Sequence, residues 1–183
     1  MMEIWNRIIA WFTANIPAGQ FSFSEGASEE ELSTAEARMR VRLPDDVRES
    51  YLLHNGTDNG PFFECYSLAS LGEIIADWTL AESVLEQVEL GLDENARTNP
   101  IGPIKDITWN LLWIPIMEAN GDHVMIDLDP APGGKIGQVI KRSHEVGPLR
   151  VLANSFREFL SNYADDLEAE RYRYDEDMCI SRI

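Results

Sequence analysis

Apolar residues recur at helical spacing in five stretches of the chain, and the stretches between them shift to the two-residue period of strands, an order that predicts an α+β domain. Ile4, Trp5, Ile8, Ile9, Trp11 and Phe12 lie on one stripe and predict a helix over residues 2–14. Leu32, Ala35 and Met39 form a second stripe, opened by Ser28 with Glu31, a capping box in which each side chain satisfies the other residue's free N–H. The same box stands at Ser70 with Glu73 and at Ser155 with Glu158. The first of these opens a run of Leu71, Ile74, Ile75, Trp78, Leu85 and Val88; the second opens Phe156, Phe159, Leu160, Tyr163 and Leu167. The remaining helix is short and bounded at both ends. Leu43-Pro44 starts it, Asp45 and Asp46 place negative charge on its first turn, and Asn55-Gly56 provides a left-handed exit, with His54 expected to act as a cap at its C-terminal end.

Strands are expected over Phe62 to Leu68, Leu111 to Met117, Gln138 to Arg142 and Leu149 to Ala153, with Pro115 marking an edge or a bulge. Asn120-Gly121 between two strand patterns predicts a two-residue hairpin. On the returning strand His123, Met125, Asp127 and Asp129 share one face, which is expected to meet solvent or a cleft. Val124, Ile126 and Leu128 share the other, which is expected to meet the core. Trp113, Phe156 and Phe159 are predicted core residues. Gln20 to Ala27, an insertion over 91–109 and Pro130 to Gly137 read as loops, and the acidic tail over 164–183 reads as a solvated helix end followed by a frayed terminus.

A length of 183 residues fits a single domain, and 44% hydrophobic with 26% charged residues excludes the disordered and fibrous classes. Charge changes the picture more. With 32 acidic against 15 basic side chains the formal charge is −17, which repels a phosphate backbone and attracts basic partners, so no direct nucleic-acid binding is expected. Cys65 and Cys179 lie far apart, a spacing that matches neither a disulfide framework nor a zinc site and that suggests a reducing cytoplasm. Glu3, Asn6 and Arg7 interrupt the first stripe, which is also too short to span a bilayer; it reads as a helix packed on the domain, with no membrane partner.

The most enzyme-like group is His123, Asp127 and Asp129. A strand rises about 3.3 Å per residue, so His123 and Asp127 stand roughly 13 Å apart and cannot share one ion. Asp127 and Asp129 remain as a pair for a metal-dependent hydrolase, although a strand ending in Asp-x-Asp-Pro is more often a turn whose carboxylates accept backbone N–H groups. No nucleophile elbow or phosphate loop is present in the sequence, and no cofactor is expected.

Taken in order, these segments resemble the SUKH superfamily, the SMI/KNR-like domain of fungal cell-wall assembly regulators and many bacterial immunity proteins. The resemblance rests on Glu36, the Leu43-Pro44 turn, Asn55-Gly56, Trp113 with Pro115, Asp127 on the hairpin strand, Gly137, and Ser155-Phe156. It covers residues 28–163, with the helix over 2–14 packed on that core. It implies an α+β single domain, 1–183, with a mixed or antiparallel sheet flanked by helices. It also implies binding rather than catalysis: sequestering and neutralising a cognate toxin, for which the excess of acids suggests a basic surface, or, as the alternative, regulation or scaffolding through another protein partner. Exposed acids near a cleft, Glu64, Asp77, Asp122, Asp127 and Asp129, are the candidate partner-binding residues.

Overall fold

The capping boxes at Ser28 and Ser70 are both closed in the computed structural model, which describes residues 1–88, 98–175 and 177–183. Ser28 N donates to Glu31 at 2.7 Å and Glu31 N donates back to Ser28 Oγ at 3.2 Å, and the pair Ser70 and Glu73 repeats this geometry. At Ser155 only half of the box forms: Glu158 N donates to Ser155 Oγ, while the Glu158 carboxylate turns to Asn154.

In chain order α1 (Met2–Asn15) is followed by β1 (Ser22–Phe23), α2 (Glu29–Met39), α3 (Asp45–Tyr51), β2 (Thr57–Asn59), β3 (Ser67–Leu68) and α4 (Leu71–Val88). Then come β4 (Trp113–Ala119), β5 (Asp122–Asp127), β6 (Gln138–Ser143), β7 (Gly147–Ala153), α5 (Phe156–Glu168), β8 (Tyr172–Tyr174) and β9 (Ile180–Arg182). Strands β3 to β7 form one sheet in sequence order, antiparallel throughout, so the architecture is α+β. Its β4–β5 hairpin turns on Asn120 and Gly121, both at positive φ, as a two-residue primed turn requires. Pro115 sits at a register shift, the bulge its missing N–H favours. The insertion reading over residues 91–97 lies outside the described residues.

One face of the sheet is packed by helices. Ile114, Val124, Ile126 and Val139 point into a core with Trp5, Phe12, Leu32, Phe156, Phe159 and Leu160. The other face carries a smaller apolar group, Ile104, Trp113, Met125 and Ile140, roofed by the connection that leads into β4. The expectation that this face meets only solvent or a cleft is therefore corrected: its middle is covered.

Further corrections follow from packing. Residues within Gln20 to Ala27, read as a loop, supply β1, which pairs with β2. The stretch Phe62 to Leu68 narrows to β3 plus a bridge from Phe63 to Tyr66. His54 meets the end of α3 only through its backbone N–H, which donates to the Ser50 carbonyl at 3.0 Å; its ring packs on Trp5 and Phe23, with centroids 4.8 and 4.9 Å away, and burial lowers its pKa. The tail is not frayed. β8 pairs with β9, Tyr172 and Ile180 are buried, and Cys179 is disulfide-bonded to Cys65 across 114 residues of sequence. Sequence separation carried no information on this pairing, because the fold brings the Cα atoms to 4.7 Å. The inference of a reducing compartment from unpaired cysteines falls with it. Among the described residues no helix is long and apolar enough to cross a membrane.

Candidate functional site

The alternation of β5 and β6 sets three residue pairs on the roofed face of the sheet: His123 opposite Arg142, Met125 opposite Ile140, and Asp127 opposite Gln138. The apolar pair lies in the middle, under the roof. The two polar pairs lie at its ends and behave differently.

At the Asp127 end the carboxylates and Gln138 are all hydrogen-bonded, while the buried Trp113 Nε1 opposite Asp127 has no partner among the described residues. Asp127 is 0% exposed; its Oδ1 accepts the Asp129 N–H at 2.9 Å and its Oδ2 accepts Gln138 Nε2 at 2.8 Å. Gln138 also donates to the Pro103 carbonyl, which ties the roof to the strand. Burial raises the pKa of Asp127 against these hydrogen bonds. Asp129 turns away to Lys105 Nζ at 2.6 Å and Asn110 Nδ2 at 2.8 Å, and the lysine leads in holding its pKa down. The two carboxylates therefore serve separate hydrogen-bond sets. Among the described residues no group of three or more His, Cys, Asp or Glu side chains is placed to share a metal ion.

At the His123 end a cavity of about 380 Å³ opens between the sheet and the second half of α4. Asp77, Leu80 and Val84 come from α4, Trp109 from the roof, His123 from β5 and Arg142 from β6. Leu80 and Val84 are 64% and 48% exposed, apolar side chains at the mouth. Arg142 is 8% exposed; its guanidinium lies 3.8 Å from the Trp109 ring centroid, and its Nε donates to the Thr108 carbonyl. Among the described residues no carboxylate pairs with it, and burial pushes its pKa down to about 10. His123 is 9% exposed. Its Nε2 stands 3.8 Å from Asp77 and its Nδ1 has no hydrogen-bond partner among the described residues. Burial lowers the His123 pKa against the pull of Asp77, and burial raises that of Asp77, so at neutral pH the imidazole is uncharged. Trp109 Nε1 is a second buried nitrogen without a partner among the described residues. The inner wall thus holds two buried nitrogens without partners among the described residues, each of which costs about 1–3 kcal/mol while unpaired.

The five candidate acids do not gather on one surface. Asp77 lines the cavity; Asp122 accepts from the backbone and ring of His144 beside it. Glu64 lies elsewhere, paired with Lys141 at 2.7 Å, and Asp127 and Asp129 belong to the opposite end of the face. The positions that carry the resemblance hold local structure. Glu36 accepts from Leu43 N and from Arg48, fixing the α2–α3 turn, and Asn55 Oδ1 accepts from Leu71 N at the start of α4. Gly56 is at φ +94°, where a Cβ would meet Ser70 N at 2.7 Å; one added at Gly137 would press on Pro44. Arg142, Trp109, Leu80 and Val84 were not picked out from sequence. The available signal was Arg142 itself, a cation at an inward position of β6, two residues from Ile140.

The SMI1 / KNR4 family (SUKH-1) model matches residues 26–162. The chain is similar to the cell wall biosynthesis/cell cycle regulator smi1 of Schizosaccharomyces pombe, 30% identical over 96% of this chain and 38% of that protein. It is also similar to the cell wall assembly regulator SMI1 of Saccharomyces cerevisiae, 24% identical over 90% of this chain and 40% of that one. The glucan synthesis regulatory protein of Neurospora crassa is 25% identical over 94% of this chain and 39% of its own length. The chain thus spans about two fifths of the length of these curated relatives.

Proposed function

Because the chain belongs to the SMI1/KNR4 family, we propose that it is a regulatory domain that acts by binding another protein, with the cavity between α4 and the β5–β6 strands as its docking surface. The observation that carries the reading is the opening of exposed Leu80 and Val84 onto buried Arg142, which pairs with no carboxylate among the described residues, and onto His123 and Trp109, whose Nδ1 and Nε1 have no partner there. An apolar rim around unspent polar groups is the anatomy of a recognition site. The regulatory names of the curated relatives favour this over the toxin-neutralising role that the sequence resemblance put first. It is a reading of binding, not catalysis. The hydrolase alternative loses its basis because Asp127 and Asp129 are committed to different partners.

The charge of −17 supports a partner with basic surface, which would be steered in quickly at low salt. A photo-crosslinking residue placed at Leu80, and in a second protein at exposed Glu30 on α2, tests the site in extract of the native host. Discrete adducts from position 80 and none from position 30 are expected. Equal labelling from both positions would remove the cavity from the proposal.

A further inference from the structure

The groove at α4 has two chemically different ends. At one end, behind the apolar rim, His123 Nδ1 and Trp109 Nε1 have no partner among the described residues, and Arg142 uses only its Nε there, on the Thr108 carbonyl. At the other, a second depression shares Asp77, Leu80 and His123 with the first and continues past Asp58, Glu73 and Glu118. Donors and grease sit at one end, carboxylates at the other, and Leu80 stands over both.

We propose, resting on the docking reading above, that this groove takes the C-terminal end of a partner polypeptide: its free carboxylate on Arg142, its apolar last side chain against Leu80 and Val84, and basic residues upstream along Asp77, Glu73 and Glu118. Each part of the occupant follows from a feature of the groove. A guanidinium whose Nε is used on the Thr108 carbonyl and whose Nη groups make no hydrogen bond among the described residues matches a carboxylate, which accepts two parallel hydrogen bonds from it. Stacking on Trp109 holds the guanidinium plane, so little ordering is needed on binding. A run of acidic side chains is repelled by a chain of formal charge −17, whereas one terminal carboxylate carries its negative charge alone. The apolar rim accepts one side chain of leucine or phenylalanine size, and the acid-lined depression takes the cations that precede it.

The probe is the tetrapeptide acetyl-Lys-Lys-Gly-Leu with a free carboxylate, titrated into the full ¹⁵N-labelled chain and followed by NMR. The same peptide as a C-terminal amide and N-acetyl-leucine serve as comparisons. The free acid is expected to shift the Trp109 indole N–H, with the amide binding about tenfold or more weakly, as loss of a charge-assisted bidentate contact implies. N-acetyl-leucine is expected to bind about tenfold or more weakly than the peptide, because it lacks the lysines. Arg142→Gln removes the carboxylate partner and is expected to cost about tenfold or more. Should that buried substitution disturb the fold, Leu80→Asp at its exposed position gives the same loss with an unchanged spectrum elsewhere. Acid and amide binding alike, no binding at millimolar peptide, or binding with the Trp109 signal unmoved would each overturn the proposal. N-acetyl-leucine matching the peptide would overturn it in favour of a small carboxylic acid. None of these results touches the crosslinking experiment at position 80, which tests the docking surface itself.

Discussion

The two faces of the central sheet are built to different rules. On the helix-packed face the buried polar groups find partners: Trp5 Nε1 donates to Ser50 Oγ, Tyr51 OH to the Ala69 carbonyl and Tyr163 OH to the Phe62 carbonyl. The roofed face holds the buried polar and charged residues other than Ser50, namely His123, Asp127, Gln138 and Arg142. It also holds the buried nitrogens without partners among the described residues, those of Trp109, Trp113 and His123. Satisfied interiors are the rule, so unpaired polar nitrogens collected on one face mark the side of the molecule adapted to something other than stability. The first face holds the domain together. The second holds chemistry in place.

Phe156 gives the largest effect by which this division can be broken. It is fully buried on the helix-packed face and stacks with Phe159, so Phe156→Ala is expected to cost about 3–5 kcal/mol, read as a fall in the urea midpoint. An unchanged midpoint would mean that this face does not carry the fold. The sharper test uses neighbours on one strand. Ile126 and Met125 are both buried completely and point to opposite faces. Either truncation falls in the range of about 2–5 kcal/mol. Ile126→Ala is expected near the top and Met125→Ala near the bottom, because the roof can settle onto the flexible methionine site and the helices cannot. Equal losses would dissolve the distinction.

The same division explains what could be read from the sequence. The helix-packed face was legible, since its helices carry capping boxes and apolar stripes, and Asn120-Gly121 announced the hairpin. Phe156, Phe159 and Trp113 are buried as their spacing predicted. The roofed face was not legible, because its partners come from a connection without periodicity, and Trp109 meets Arg142 across 33 residues of sequence. His123 was noticed but weighed only against Asp127 on its own strand, whereas the residue that faces it across the ladder is Arg142. Cys65 and Cys179 escaped for the same reason: a long-range juxtaposition leaves no local pattern.

The smallest expected effect concerns Asp127, whose two carboxylate oxygens are both hydrogen-bonded on the roofed face. Asp127→Asn keeps an oxygen for the Asp129 N–H but sets an amide nitrogen against Gln138 Nε2, donor facing donor. Gln138 cannot simply turn over, because its Nε2 also donates to the Pro103 carbonyl and its Oε1 accepts from Lys135 N. Removing a buried charge offsets part of that loss, so the net cost at neutral pH is about 1 kcal/mol. The pH dependence carries the finer information. Burial places the folded pKa of Asp127 above its unfolded value, so between the two values the folded state binds the proton more tightly. Stability contributed by this group therefore rises as pH falls through the folded pKa, and it is fully gained below the unfolded one. The asparagine variant has no such gain, so its deficit relative to the parent should widen on acidification, measured as paired urea midpoints from neutral pH into the ordinary aspartate range. Carboxylates with depressed pKa values far from this end, Glu31 and Asp175 among them, act on both proteins alike and cancel in the difference. A deficit that stays constant, or shrinks in acid, would mean that the Asp127 carboxylate is comfortable as an anion, and this end of the face would then be polar in the way a surface is.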